Sequence, residues 1–258
     1  MKRRSFLKIA GAGLAGACAV PVAEALTHAA KTEPAPGAIT GKRWALVIDE
    51  RKCLTKPGCN ACMQACHKPH NVPAMPDPRH EIKWIWKEQY QHVFADSVTP
   101  YTAAALKERP TIVLCNHCEN PPCVRVCPTQ ATFKRADGIV MMDEHRCIGC
   151  RYCITGCPYG ARSFNFEDPR PHIAEPTDYP TRTKGVVEKC TFCSEQLAVG
   201  KRPLCVEACE GIGCGALIFG DLGDPSSAVS KLVRGSDLAW RKPGLGTSPH
   251  VLDRKSVV

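Results

Sequence analysis

At 258 residues the chain suits one large or two small domains; with aromatics at 6% against Gly 20 and Pro 22, it favours short elements joined by turns over a large core of long strands or helices. Cysteine, at 18 residues, points to an organising force other than apolar burial. The formal charge of +9 falls to +6 (30 − 24) once residues 1–25 are set aside, and no clustered Lys/Arg run with interleaved aromatics supports a basic nucleic-acid-binding protein.

Lys2-Arg3-Arg4-Ser5-Phe6-Leu7-Lys8 resembles the twin-arginine export motif; a Gly/Ala-rich apolar run from Ile9 to Val22 and a small-residue cleavage site at Ala23-Glu24-Ala25 follow. The run is short and glycine-rich for a membrane span, so a removable signal over 1–25 is the expectation and an uncleaved anchor the alternative. Leu14-Ala15-Gly16-Ala17-Cys18 only partly matches a lipid-attachment box, its leucine being one place too far upstream. The G-x-G-x-x-G of Gly11–Gly16 follows no strand and carries no weight. Residues 26–42 read as a Pro/Ala/Gly-rich linker.

From Trp44 the cysteines fall into four sets of four. WALVIDERKC predicts a strand ending before Cys53, Cys59, Cys62 and Cys66. The insertion 67–110 carries Trp84 and Trp86, which read as a strand face or loop packed on the fold, with a partner-binding ridge as the alternative. Cys115, Cys118, Cys123 and Cys127 form the second set. Asp137-Gly138 lies between two β-like runs, Ala131–Lys134 and Ile139–Met142, and predicts a hairpin. Cys147, Cys150, Cys153 and Cys157 form the third set, and Cys190, Cys193, Cys205 and Cys209 the fourth, before another strand in GALIFGDL. Cys18 lies in the signal and Cys214 is left over.

The third set reads C-x2-C-x2-C-x3-C-P, the spacing of bacterial ferredoxins, and the second differs by two added residues before its third cysteine. Three closely spaced thiolates wrap one corner of a cubane, while the fourth points away to a second cluster. Pro158 and Pro128 set the chain direction after each fourth cysteine. Zinc sites use ligand pairs separated by a dozen or more residues to close one tetrahedron, a pattern that the fourth set alone would fit. An exported, cysteine-rich chain ordinarily suggests disulfides; loading of metal in the cytoplasm before export of the folded protein removes that conflict. The expected fold class is α+β, built as tandem two-cluster ferredoxin modules with short strands, short helices and long inserted loops. They span 43–258, a central module at about 111–166 being inserted between the halves of an outer one.

CNHCENPPCVRVCPTQATFKRADGIVMMDEHRCIGCRYCITGCPYGARSFNF, within the four-set layout, resembles the iron–sulfur subunits that couple membrane quinone proteins to extracytoplasmic redox partners. These include the electron-transfer subunits of dimethyl-sulfoxide, polysulfide and nitrite reductase systems. With FGDLGDPSSAVS, the likeness narrows to the DsrO-type ferredoxin subunits of DsrMKJOP complexes of sulfur metabolism. The resemblance implies four [4Fe–4S] clusters. Cluster A would use Cys115, Cys118, Cys123 and Cys157, and cluster B Cys147, Cys150, Cys153 and Cys127. Cluster C would use Cys53, Cys59, Cys62 and Cys209, and cluster D Cys190, Cys193, Cys205 and Cys66.

Two departures concern the outer module. Five residues separate Cys53 from Cys59, which leaves open a degraded or three-iron site, and Glu210–Cys214 stands where a proline-led turn is usual. Cys214 is thus either an alternative to Cys209 or a buried spare thiol. His67, His117 and His145 sit beside cluster cysteines as solvated or supporting groups rather than ligands.

No catalytic set of residues is apparent, so the expectation is a non-catalytic electron-transfer subunit, not an enzyme by itself. It would relay single electrons between a quinone-interacting integral membrane subunit and partners in dissimilatory sulfur metabolism, a multihaem cytochrome c among them. The expected place is periplasmic, on the outer face of the cytoplasmic membrane and peripheral to it. The alternatives are a subunit of a molybdenum reductase or formate dehydrogenase and, more distantly, a zinc-stabilised scaffold. Four cubanes would add roughly −8, so that the basic residues mostly offset the clusters.

Overall fold

Six consecutive buried residues, Trp44–Asp49, form β1, and a near-continuous apolar run is what a strand covered on both faces requires. Leu217–Asp221 (β8) pairs with β1 antiparallel, Leu46 opposite Phe219, while Val251–Arg254 (β9) pairs with it parallel, Leu46 opposite Val251. The result is a three-stranded sheet in the order β8-β1-β9. On one face Trp44 stacks on Phe219 at 5.1 Å. On the other, Ala45, Val47 and Leu252 pack with Val229 of a helix at Ala228–Gly235, whose N-terminus is capped by Ser227 accepting from the Ser230 N–H.

This structure is a computed structural model and describes residues 43–255. The expected signal at 1–25, with Cys18, and the linker at 26–42 lie outside the described residues. Among those described, no helix is long and apolar enough to cross a membrane.

Three two-stranded ribbons complete the strands. Ile85–Gln89 (β2) pairs with Pro110–Leu114 (β3), Thr132–Lys134 (β4) with Val140–Met142 (β5), and Ser163–Phe164 (β6) with Val187–Glu188 (β7), all antiparallel. The β4–β5 hairpin turns where Asp137-Gly138 predicts it. The Gly138 φ of +86° suits glycine, and the Asp137 carboxylate accepts the Ile139 N–H at 3.2 Å. A Pro-led turn of helix, Pro122–Arg125 (α1), packs on another, Tyr152–Thr155 (α2). Two longer helices, Ala61–His67 and Leu204–Gly211, lie against each other beside the sheet.

Trp84 and Trp86 are buried, and the Trp84 indole N–H donates to the Glu188 carboxylate at 2.8 Å. The ridge alternative is therefore corrected: the two rings are core, one of them anchoring the insertion to β7.

Candidate metal centres

The two longer helices distribute their sulfurs by one rule. Cysteines at i and i+4 share a face but sit one turn apart. In Ala61–His67, Cys62 lines one cavity and Cys66 the next; in Leu204–Gly211, Cys209 lines the first and Cys205 the second. A short helix, Glu50–Leu54, supplies Cys53, and loops the remainder: Cys53 and Cys59 complete the first cavity with Ile112 and Leu217, and Cys190 and Cys193 the second with Leu46, Leu114 and Phe192.

In the central stretch Cys118 lies within the field of Cys115, Cys123 and Cys157. Cys153 interacts with Cys147, and Cys127 and Cys147 pack in the same apolar cluster as Cys153. Cys150 is the exposed member. Cys157 thus leaves the loop that holds Cys147 and Cys153 and joins the cysteines of the preceding loop. One locally closed tetrahedron, as in a zinc ribbon, does not have this exchange; a two-cluster ferredoxin does.

The four groups also follow one another. Cys62 and Cys66 share one helix, Cys115 and Cys190 one buried cluster, and Cys123 and Cys153 another. In the expected labels the row runs C, D, A, B.

The loops curl by leaving the usual backbone region. His117 (φ 41°), Arg151 (φ 61°), Phe192 (φ 55°) and Cys193 (φ 49°) are left-handed non-glycine residues in or beside the cysteine loops. Such turns aim successive N–H groups inward at an anion. Donors reach sulfur accordingly: Phe192 N–H to Cys190 Sγ at 3.4 Å and Ala216 N–H to Cys209 Sγ at 3.2 Å. Burial opposes ionisation of Cys127, yet N–H groups of Thr132, Thr129 and Ala131, with the Thr129 hydroxyl, together hold its thiol below the ordinary value.

Elsewhere burial dominates. It pushes Cys62, Cys118 and Cys190 up to about 12, neighbouring sulfurs adding to the effect, and Cys66 and Cys205 well above their ordinary value. As free thiols these groups keep their protons at neutral pH; a cation at the sulfurs is what displaces them.

Two buried cations point the same way. Arg162 donates through Nη2 to Cys123 Sγ at 3.1 Å and through Nη1 to Thr132 Oγ1 at 3.0 Å. Lys189 donates to the carbonyls of Val140 and, at 2.7 Å, Cys190. Both are at most 5% exposed, and among the described residues neither forms an ion pair with a carboxylate. A buried cation needs an anionic counterpart, and thiolate-bound iron–sulfur cores carry net negative charge. The all-sulfur donors, the exchanged fourth cysteine and the uncompensated cations fit [4Fe–4S] clusters.

Sequence reasoning missed both cations, which stand beside cysteine sets in GARSFNF and VVEKC without a local mark of burial. It also missed His70, buried between the Cys66 carbonyl (2.6 Å) and Glu195 (2.8 Å). Of the two readings for His117, solvated or supporting, the structure has it fully buried: its Nδ1 accepts the Val140 N–H at 3.1 Å, and its ring stacks on Phe192. His67 is half-buried, with Nε2 at 2.9 Å from the Ile85 carbonyl, whereas His145 is exposed. Cys214 is only partly buried and lines the cavity of Cys53 and Cys209, which corrects the reading of a buried spare thiol.

Residues 110–170 match the 4Fe-4S dicluster domain. Over 99% of its length the chain is 43% identical to the Hdr-like menaquinol oxidoreductase iron-sulfur subunit 1 of Archaeoglobus fulgidus, covering 98% of that protein. It is 38% identical to the iron-sulfur cluster-binding subunit of the menaquinone reductase of Nitratidesulfovibrio vulgaris (81% of this chain, 87% of that one). It is also 37% identical to the protein NrfC of Escherichia coli (83% and 81%).

Proposed function

Because the chain belongs to the family of iron–sulfur electron-transfer subunits of menaquinol oxidoreductase and reductase complexes, we propose that it relays single electrons through four [4Fe–4S] clusters between a quinone-interacting membrane subunit and redox partners of dissimilatory sulfur metabolism. The observation that carries this reading is the succession of four cysteine groups: Cys62 and Cys66 lie on one helix, Cys115 and Cys190 in one buried cluster, and Cys123 and Cys153 in another.

Cys53, Cys59, Cys62 and Cys209 hold the cluster at one end. Cys66, Cys190, Cys193 and Cys205 hold the next, then Cys115, Cys118, Cys123 and Cys157, and finally Cys127, Cys147, Cys150 and Cys153. A central module at about 111–166 sits between the halves of the outer module. When bound, the clusters supply reversible one-electron transfer at potentials set by charge, hydrogen bonding and solvent exposure. The protein's own part is to fix the sulfurs, to shield them with Trp84, Leu114 and Phe192 from water, and to present N–H donors to them. Residues 1–25 direct twin-arginine export of the loaded protein to the periplasm, where it lies on the outer face of the cytoplasmic membrane through its partners. A multihaem cytochrome c is the further partner we infer.

Anaerobic quantification of iron, zinc and acid-labile sulfide in the purified chain tests this. About sixteen iron and sixteen sulfide per chain is the expected result. About eight of each would leave only the central pair, and zinc without sulfide would end the electron-transfer reading.

A further inference from the structure

Arg162 stands five residues beyond Cys157, immediately before β6, and is 5% exposed. Its guanidinium reaches Cys123 directly and lies in the field of Cys153 and Cys115 as well. These sulfurs belong to two different groups: Cys115 and Cys123 to one central site, Cys153 to the other. Thr132 fixes the other edge of the fork, and its hydroxyl in turn donates to Met142 Sδ at 3.1 Å. A guanidinium stays protonated at any working pH, so its charge is permanent. Held rigidly against sulfur in a medium of effective dielectric about 20 or lower, a permanent charge favours whichever redox state of its neighbour is the more negative.

We propose that Arg162 is a fixed cationic tie between the two central clusters, raising the reduction potential of both. The effect is larger at the cluster of Cys115, Cys118, Cys123 and Cys157, which it touches through Cys123, than at the cluster of Cys153. The two outer clusters, whose sulfurs it does not contact, keep their potentials. This rests on the cluster assignment above.

The test is an anaerobic, EPR-monitored redox titration of the full-length, cluster-loaded protein, reduced stepwise with dithionite, for wild type, Arg162→Gln, Arg162→Lys and Thr132→Val. Iron and sulfide are counted in each. With Arg162→Gln, the reduced-to-oxidised ratio of one central cluster is expected to fall about tenfold at fixed ambient potential, about 59 mV for a one-electron couple. The second central cluster falls less, and the other two stay within twofold of wild type. Arg162→Lys keeps the charge and is expected to recover most of the change. Should Arg162→Gln lose iron, Thr132→Val decides: it keeps every ligand and charge but frees the fork, and a fall of about threefold confined to the central clusters is expected. Fully loaded variants whose four ratios are unchanged, or all shifted alike, would overturn the proposal. Wild-type protein without sulfide would overturn the cluster assignment itself, and this proposal with it.

Discussion

A Cβ on Gly149 would stand 2.4 Å from the carbonyl oxygen of Gly185. The loop of Cys147 and Cys150 therefore closes against the 185 turn only because position 149 has no side chain, and its φ of +70° is in any case glycine's.

Gly149→Ala is expected to open that loop and release about one cluster's worth of iron, roughly four atoms per chain. Gly185→Ala is the control. Gly185 also has a positive φ, but a Cβ there meets nothing within 4 Å. It should lose only about 1–2 kcal/mol to backbone strain and retain its iron. Iron counts and denaturation midpoints of the two variants check the pair.

Arg182 and Glu188 form a fully buried ion pair at 2.7 Å. Glu188 also accepts from Trp84 and Asn165, while Arg182 donates to the carbonyls of His70 and Asn71. Glu188→Ala leaves that guanidinium buried without its counter-charge and should cost about 3–5 kcal/mol. Adding Arg182→Met should cost less than the two single changes together, because the second change removes the orphan created by the first. Urea midpoints of all four proteins measure the coupling.

Burial lowers the proton affinity of His250, with Glu119, at 3.0 Å, working in the opposite direction. The unfolded imidazole binds its proton more readily than the folded one. Stability is therefore fully present above the unfolded value of about 6.5 and is lost as pH falls from there through the lower folded value. The slope is at most about 1.4 kcal/mol per pH unit. His250→Gln should flatten it, seen as a smaller difference in urea midpoint between pH 7.5 and pH 6.0 than wild type shows.

Cys209 is buried and takes the Ala216 N–H, whereas Cys214 is partly exposed with its thiol 3.5 Å from the Lys52 carbonyl. Cys209→Ser should thus lose roughly four iron atoms and Cys214→Ser none. The reverse outcome would move the ligand to Cys214. Metal analysis of the two variants separates the cases.

Local pattern made some of this legible. Asp137-Gly138 turns a hairpin by itself, WALVID reads as a strand, and the Cys147–Cys157 spacing carries the exchange of a fourth sulfur, because each of these depends on neighbours in sequence. Other features depend on residues far apart in the chain. VLDR at 251–254 has nothing local to mark it as the parallel neighbour of β1, which only the completed sheet provides. Arg162 reads as an ordinary surface arginine until β4 and α1 bring Thr132 and Cys123 to it. The tryptophans of the insertion were ambiguous for the same reason: the partner of Trp84, Glu188, lies more than a hundred residues onward.

The placing of β1 between β8 and β9 has a consequence for biogenesis. The strand that leaves the ribosome first among the described elements finds both of its neighbours only when the last of them has been made. One edge of β1 has no partner in the chain until β8 is made and the other none until β9, and so long a contact order makes closure of the sheet a late, slow event. The cysteine loops emerge before that closure, so every sulfur is in the chain before the sheet is complete. A nonsense codon a few residues before Val251 would leave all sixteen ligands in the chain and still deprive it of the strand that completes the sheet.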